Sequence, residues 1–262
     1  MTLDLTIVSH TYQEIFNMIP KKIYQTWVTK NLPHRVKDYV DEMLSLNPSY
    51  EYELYDDEDI FYFIKEHYGK DVLSAYEKLE IGASKSDLWR YLVLYKNGGV
   101  YLDLDSHIYR SLDGLIKEND EAIISREGSE DNPHYDDHGG IFVQWCLIFG
   151  AGHPILEKTF EKCVYNIKNQ TTQNIWHLTG PSVYSSAVRE VLSPLDVDIY
   201  KNSDENILDK INSGEFSNIN CRVYSYDYRD FCIFQHRDSH LLTREKPHWQ
   251  EESKTKSVFK KD

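Results

Sequence analysis

The segment from Ser84 to Asp105 constrains this chain more than any other. Leu88, Tyr91, Leu92 and Tyr95 recur at i, i+3, i+4 and i+7, which gives a helix one apolar stripe. Gly98-Gly99 stops that helix, because glycine tolerates the left-handed backbone that ends one. Val100-Tyr101-Leu102 then reads as a strand, and it delivers Asp103 and Asp105 to its end. A helix that feeds a strand through a glycine turn implies an α/β alternation.

The flanking sequence repeats that alternation. Lys22 to Trp27 is a short β-type run. Pro33 and His34 open a helix with Val36, Val40, Met43 and Leu44 on one face, and Asn47-Pro48 stops it. Tyr50 to Tyr55 alternates as a half-buried strand does. Amphipathic helices follow over Asp57 to His67 and Lys70 to Leu79. Further on, strands are expected at Ala122–Ser125, Ile141–Phe149, Val197–Tyr200 and Arg222–Tyr226. Helices are expected over Pro154–Lys168 and from Pro181 to Leu192, with a polar loop at Glu127–Gly140. Together these predict an α/β sandwich around a largely parallel sheet. Residues 1–250 read as one domain with helical insertions, and 251–262 as a charged, flexible tail.

With 29 Lys plus Arg against 43 Asp plus Glu, the net charge of −14 argues against a nucleic-acid partner. Cys146, Cys163, Cys221 and Cys232 lie far apart without a CxxC pair, so they read as isolated thiols in a reducing compartment. Met1 to Ile19 mixes Asp4, His10, Gln13 and Glu14 into its apolar residues and does not read as a signal peptide. No run approaches the roughly 18 apolar residues of a membrane span. The expectation is a soluble, cytoplasmic protein.

Asp103 and Asp105, at i and i+2 on an extended backbone, point the same way off a strand end. Open α/β sheets place ligands at the carboxyl ends of their strands. Paired hard oxygens there suit Mg²⁺ or Mn²⁺ bridging to a substrate phosphate. Sixteen residues before Asp103 lies Asp87, and Arg90 follows it by one helical turn on the same face. That pair is either an exposed ion pair or a carboxylate and guanidinium aimed at ligand hydroxyls.

Ala83-Ser84-Lys85-Ser86-Asp87-Leu88-Trp89-Arg90-Tyr91, followed by Leu94-Tyr95-Lys96-Asn97-Gly98-Gly99-Val100-Tyr101-Leu102-Asp103-Leu104-Asp105, resembles the AxxSDxxRY…LYxxGGxYxDxD block of family 32 glycosyltransferases. This family includes the fungal initiating mannosyltransferases, and a related block occurs in glucosylating clostridial toxins. The resemblance extends to Ile19 through Trp27 and Asn47 through Tyr52, and more weakly to Gly150 through Pro154 and Thr179-Gly180-Pro181. It implies a GT-A-like, metal-dependent, retaining transferase. The donor would be a nucleotide-diphosphate sugar (UDP- or GDP-linked), and the acceptor a glycan, a lipid-linked sugar or a protein. By match, Asp105 would bind the metal and Asp103 the ribose and metal shell. Asp87 and Arg90 would grip the donor sugar, Trp27 would stack near the base, and Gln25 would lie close by. The family's HHxxxSW-like closing motif is best approximated by Pro247 to Lys254, which makes His248 a candidate third metal ligand, with His236 in a competing match.

Two other readings compete with catalysis of sugar transfer. A degenerate transferase would bind nucleotide sugar or glycan without turnover, and the imperfect closing motif favours it. A DxD phosphatase would need the motif near its first strand and Thr or Val four residues after the first Asp, where this chain has His107. Secondary candidates are the loop cluster His134, Asp136, Asp137 and His138; His153 as a turn residue; and His177, either on the acceptor side or in core packing. Lys254, Lys256, Lys260 and Lys261 could attract an anionic membrane surface weakly. Tyr224, Tyr226 and Tyr228 alternate as packing residues of a strand.

Overall fold

The computed structural model describes residues 18–125, 142–192, 221–224, 231–233, 238–245 and 247–260. In chain order the strands and helices are β1 (Lys22–Thr26), α1 (His34–Leu46), β2 (Glu51–Tyr55), α2 (Asp57–His67), α3 (Lys70–Lys78) and α4 (Gly82–Asn97). Next come β3 (Gly99–Leu102), β4 (His107–Ile108), β5 (Ala122–Ser125), β6 (Cys146–Phe149), α5 (Pro154–Asn169), α6 (Ile175–Leu178) and α7 (Pro181–Leu192). The last are β7 (Cys221–Tyr224), β8 (Cys232–Ile233), α8 (Leu242–Glu245) and α9 (Trp249–Thr255).

A six-stranded sheet runs in the order β2-β1-β3-β6-β5-β7, and β4 pairs with β8 beside it. The β2–β1, β1–β3 and β5–β7 pairs are parallel, while β6 runs antiparallel to both its neighbours. The sheet is therefore mostly parallel, with one reversed strand near its centre. Side chains alternate between two cores as the pleat requires. Tyr24, Tyr101, Leu147 and Phe149 pack against the helices from α2 to α7. Ile23, Val100, Leu102 and Ile148 pack with Val36, Val40 and Met43 of α1.

The first helix after β2 is held by its own sequence. Asp56 accepts the amides of Glu58 and Asp59 while Asp59 accepts the Asp56 amide, a reciprocal capping box. Helix α4 is buried on nearly every side, from Ser84 and Asp87 through Leu94. The four-residue apolar stripe understates this, because α4 lies between the sheet and the outer helices. Gly98 (φ +66°) and Gly99 (φ +110°) turn the chain into β3, and a Cβ on Gly98 would stand 2.7 Å from Pro20 Cδ and 2.8 Å from the Ala151 amide nitrogen. Only glycine fits there.

Two expectations need correction. The strand expected over 141–149 is regular only from Cys146, and Phe142 forms an isolated bridge. The stretch expected as a free tail is docked: α9 runs to Thr255, Leu79 bridges Phe259, and Val258 and Phe259 are buried. The lysines on either side, Lys254, Lys256, Lys260 and Lys261, obscure these two apolar anchors in the sequence. The Lys260 amide also bonds the Lys78 carbonyl at 2.9 Å. Met1 to Asn17, the cluster from His134 to His138, the strand at 197–200, Tyr226, Tyr228, His236 and Lys261 lie outside the described residues. Among those described, no helix is long and apolar enough to cross a membrane.

Candidate functional site

The carboxyl ends of β1, β2 and β3 open onto a cleft of about 450 Å³. Because β6 is antiparallel to β3, its amino-terminal approach arrives at that same edge. Leu102 registers with Cys146, and the Asp103 amide donates to the Trp145 carbonyl at 2.8 Å. This reversal brings Gln144 and Trp145 beside Asp103. The remaining walls come from α4, from α6 and the start of α7, and from residues 239–252.

Arg90 is the centre of the polar network. One terminal nitrogen lies 3.2 Å from Asp87 and 3.1 Å from Asp103; the other donates to the Gln144 carbonyl at 3.1 Å. The guanidinium also stands 4.6 Å over the Tyr101 ring, whose hydroxyl donates to Asp103 at 2.7 Å. Asp87 accepts from Gln144 Nε2 and Thr179 Oγ1, each at 3.0 Å. Gln144 Nε2 also bonds the Tyr91 hydroxyl, which in turn donates to the Thr179 carbonyl at 3.0 Å. Burial disfavours the Arg90 charge, but Asp103, Tyr101 and Asp87 together outweigh it and keep the guanidinium charged. The α4 pair is thus a buried structural centre and not a surface ion pair.

The network leaves negative charge unbalanced. Asp87, Asp103 and Asp105 face the cleft with one guanidinium among them. Burial lifts the Asp87 carboxyl to about 6 although Arg90 opposes the rise. Burial and then the Asp103 charge lift Asp105 to about 7. A divalent cation would relieve that repulsion, and two hard carboxylates with open positions suit Mg²⁺ or Mn²⁺ completed by water and phosphate oxygens. The donor set fits such an ion. Among the described residues, however, no three His, Cys, Asp or Glu side chains gather as a closed metal cage.

Trp27, Asp87, Arg90, Asp103, Asp105 and His248 all line this one cleft. Gln25 does not. Buried in β1 beside β3, it donates from Nε2 to the Asp103 carbonyl at 3.3 Å and accepts the Tyr52 hydroxyl at 3.0 Å, so it braces the strand end. His248 shares the cleft but not a three-residue cage, and its Nδ1 accepts the Gln250 amide at the start of α9. His177 is exposed and lines a separate hollow between α5 and α7, away from the cleft and from the core. His153 caps α5, and burial lowers its imidazole to about 3. All four cysteines are free and buried.

Gln144 and Tyr101 are the residues that sequence reasoning missed. The signal for Gln144 was its position as the lone polar side chain within the apolar run Ile141 to Phe149. Thr179 was visible only as part of a short motif, without a role.

This chain is similar to several known proteins. The family described as "Glycosyltransferase sugar-binding region containing DXD motif" matches residues 33–122. The chain is 38% identical over 118 residues to inositol phosphoceramide mannosyltransferase 3 of Schizosaccharomyces pombe, covering 43% of this chain and 33% of that protein. It is 27% identical over 217 residues to the initiation-specific alpha-1,6-mannosyltransferase of Candida albicans, covering 70% of this chain and 56% of the other. The chain therefore spans about a third to just over half the length of these relatives. In structure it is similar to PaToxG glycosyltransferase, with a TM-score of 0.54, 16% identity and 97% coverage of both chains. That likeness concerns the fold, which is mixed α/β and GT-A-like.

Proposed function

We propose that this chain, which carries the sugar-binding region of the DXD glycosyltransferases, is a metal-dependent retaining glycosyltransferase. It would move a hexose or N-acetylhexosamine from a nucleotide-diphosphate sugar to a glycan, lipid-linked or protein acceptor. The observation that carries this reading is the excess of carboxylates over guanidinium at the end of β3, inside a cleft large enough for a ligand. Similarity to proteins named as mannosyltransferases supports sugar transfer as the reaction class and mannose as one candidate sugar.

Asp105 and Asp103 would hold Mn²⁺ or Mg²⁺, which supplies Lewis-acid stabilisation of charge on a diphosphate leaving group. Arg90 is fixed by four oxygens, so it needs little reorganisation when a donor enters. Asp87 keeps acceptor capacity for a sugar hydroxyl, since each carboxylate oxygen has two lone pairs. Thr179 and Gln144 hold it in one orientation. Four of the five tryptophans line the cleft: Trp27, Trp145, Trp176 and Trp249. Their faces suit a base and sugar rings. No side chain is assigned as a nucleophile; with retention, the leaving phosphate would take the acceptor proton on the front face.

A thermal-shift panel of UDP-, GDP-, CMP- and dTDP-sugars with and without Mn²⁺ tests the proposal. A ligand at a hundredfold excess over its Kd adds about 2.7 kcal/mol of apparent stability. A Mn²⁺-dependent shift with one base, followed by release of its nucleoside diphosphate, is the expected result. Binding without turnover would favour a non-catalytic sugar-nucleotide receptor, and no binding in calorimetry would reject both.

A further inference from the structure

We propose that Cys146 and Cys232 form a disulfide when the chain folds in the presence of a small-molecule disulfide, and that this bridge clamps the loop carrying Asp103 and Asp105. The bridge stands apart from the transferase reading, because it depends only on where two thiols meet. Cys146 opens β6 and Cys232 opens β8, far apart in sequence, yet their side chains hydrogen-bond each other. Both are buried in one apolar cluster, together with Val100, Leu102 and Ile108. Cys163 and Cys221 belong to the cluster on the other face of the sheet. There Cys163 donates to the Thr179 carbonyl at 3.7 Å, and Cys221 registers with Ala122. The sheet thus separates one thiol pair from the two remaining thiols.

The pair borders both ends of the acidic loop. Cys146 registers with Leu102 at the end of β3, and the carbonyl of the preceding Trp145 accepts the Asp103 amide at 2.8 Å. Cys232 registers with Ile108 of β4, and the carbonyl of the preceding Phe231 accepts the Tyr109 amide at 3.0 Å. Strands β4 and β8 form a two-stranded ribbon of their own, and so short a ribbon is marginal without further support. A covalent link from Cys232 to Cys146 fastens that ribbon to β6. The chain from Asp103 to Tyr109 is then tied down at both ends.

The reaction is thiol–disulfide exchange with a reagent such as oxidised glutathione. One protein thiolate attacks a glutathione sulfur, the reagent's S–S bond breaks, and one reduced glutathione leaves. The second protein thiolate attacks the protein sulfur of the mixed disulfide, which forms the Cys146–Cys232 bond and expels the second glutathione. The two protein thiols are oxidised, and their protons and two electrons pass to the reagent. In the folded chain the hydrogen bond with Cys232, and then burial, hold the Cys146 thiol well above its ordinary value. That suppresses the attacking thiolate. The bond therefore forms during folding, in a compartment that supplies the oxidant, and burial afterwards shields it from reductant.

Refolding the full chain from urea in a glutathione redox buffer, and in parallel with dithiothreitol, tests the pairing. The oxidised product should lose two hydrogens in intact mass and yield a non-reduced peptide that joins Cys146 to Cys232. Its Tm should exceed that of the reduced form by about 5–15 °C, because the bridge closes a long loop in the unfolded chain. Hydrogen exchange at the Asp103 and Tyr109 amides should slow at least about tenfold. Cys146→Ala should abolish the mass loss and the Tm gain, and the double replacement Cys163→Ala with Cys221→Ala should keep both. The mass and the peptide map are read on the parent, so they decide the pairing even where a variant fails to fold. Four free thiols in the oxidised product, a glutathione adduct without a bridge, or a bridge through Cys163 or Cys221 would overturn it. A Cys146–Cys232 bridge with unchanged exchange at both amides would overturn the clamp.

Discussion

Replacing Asp105 by asparagine separates metal binding from folding. In the metal-free protein the Asp105 carboxyl is raised from 3.8 to about 7, first by burial and then by Asp103. A carboxyl raised by folding contributes stability at low pH and loses it as pH climbs through the folded value, here between about 4 and 7. At about 1.4 kcal/mol per tenfold change in proton affinity, ionising it above pH 7 costs at most about 4 kcal/mol. Solvent at the cleft mouth returns part of this, leaving about 1–2 kcal/mol. Asp105→Asn keeps the shape and removes the charge, so at pH 7.5 without metal it should raise Tm by roughly 2–8 °C, using 2–4 °C per kcal/mol for a chain of this size. Its Tm should also stop falling between pH 4 and 7. Saturating Mn²⁺ should stabilise the parent and leave the variant unmoved. Scanning calorimetry with and without Mn²⁺ reads all three effects. A lower Tm in the metal-free variant, or an equal Mn²⁺ shift in both proteins, would refute the placement of Asp105 as a charge-strained metal ligand.

Arg90→Met strips Asp87 and Asp103 of their shared counter-charge in a buried setting; it should cost about 3–5 kcal/mol in urea unfolding, whereas a loss below about 1 kcal/mol would mean the network contributes little to folding. Trp27→Ala should weaken nucleotide binding about equally for every sugar carried on one base, checked by competition titration; an effect limited to one sugar would place the indole elsewhere. Phe259→Ala should destabilise by about 3 kcal/mol and speed proteolysis after Thr255, because it removes the ring that secures the last segment to Leu79; unchanged urea stability would show that the segment is not anchored there.

The elements that proved legible are those whose instructions are local. Helix α2 begins and ends where Asp57 and His67 indicated, because Asp56 and Asp59 cap it from within four residues. The run from α4 through Gly98-Gly99 into β3 is dictated by a stripe, a forced glycine turn and three apolar residues. What escaped depends on contacts distant in sequence. Gln144 meets Asp87 across 57 residues and only because β6 runs backward, a direction that alternation of helices and strands does not encode. Gln25 matched a motif that placed it near a nucleotide, yet a side chain within a strand faces one side of the sheet, and this one turns under Asp103. The last segment was misjudged because charge dominates its composition, while two buried residues, Val258 and Phe259, decide its position.

The wall formed by residues 239–252 has a consequence for how the protein is made. Asp87, Arg90, Asp103 and Asp105 leave the ribosome well over a hundred residues before His248 and Trp249. Until then the acidic pocket stands open on one side, with its carboxylates facing bulk water. The closing wall is therefore made only after the helix and strand that carry the acidic cluster have left the ribosome. Stalled or nicked chains that stop before Pro247 would lose this enclosure together with the two buried anchors, Val258 and Phe259, that tie the last segment to the core.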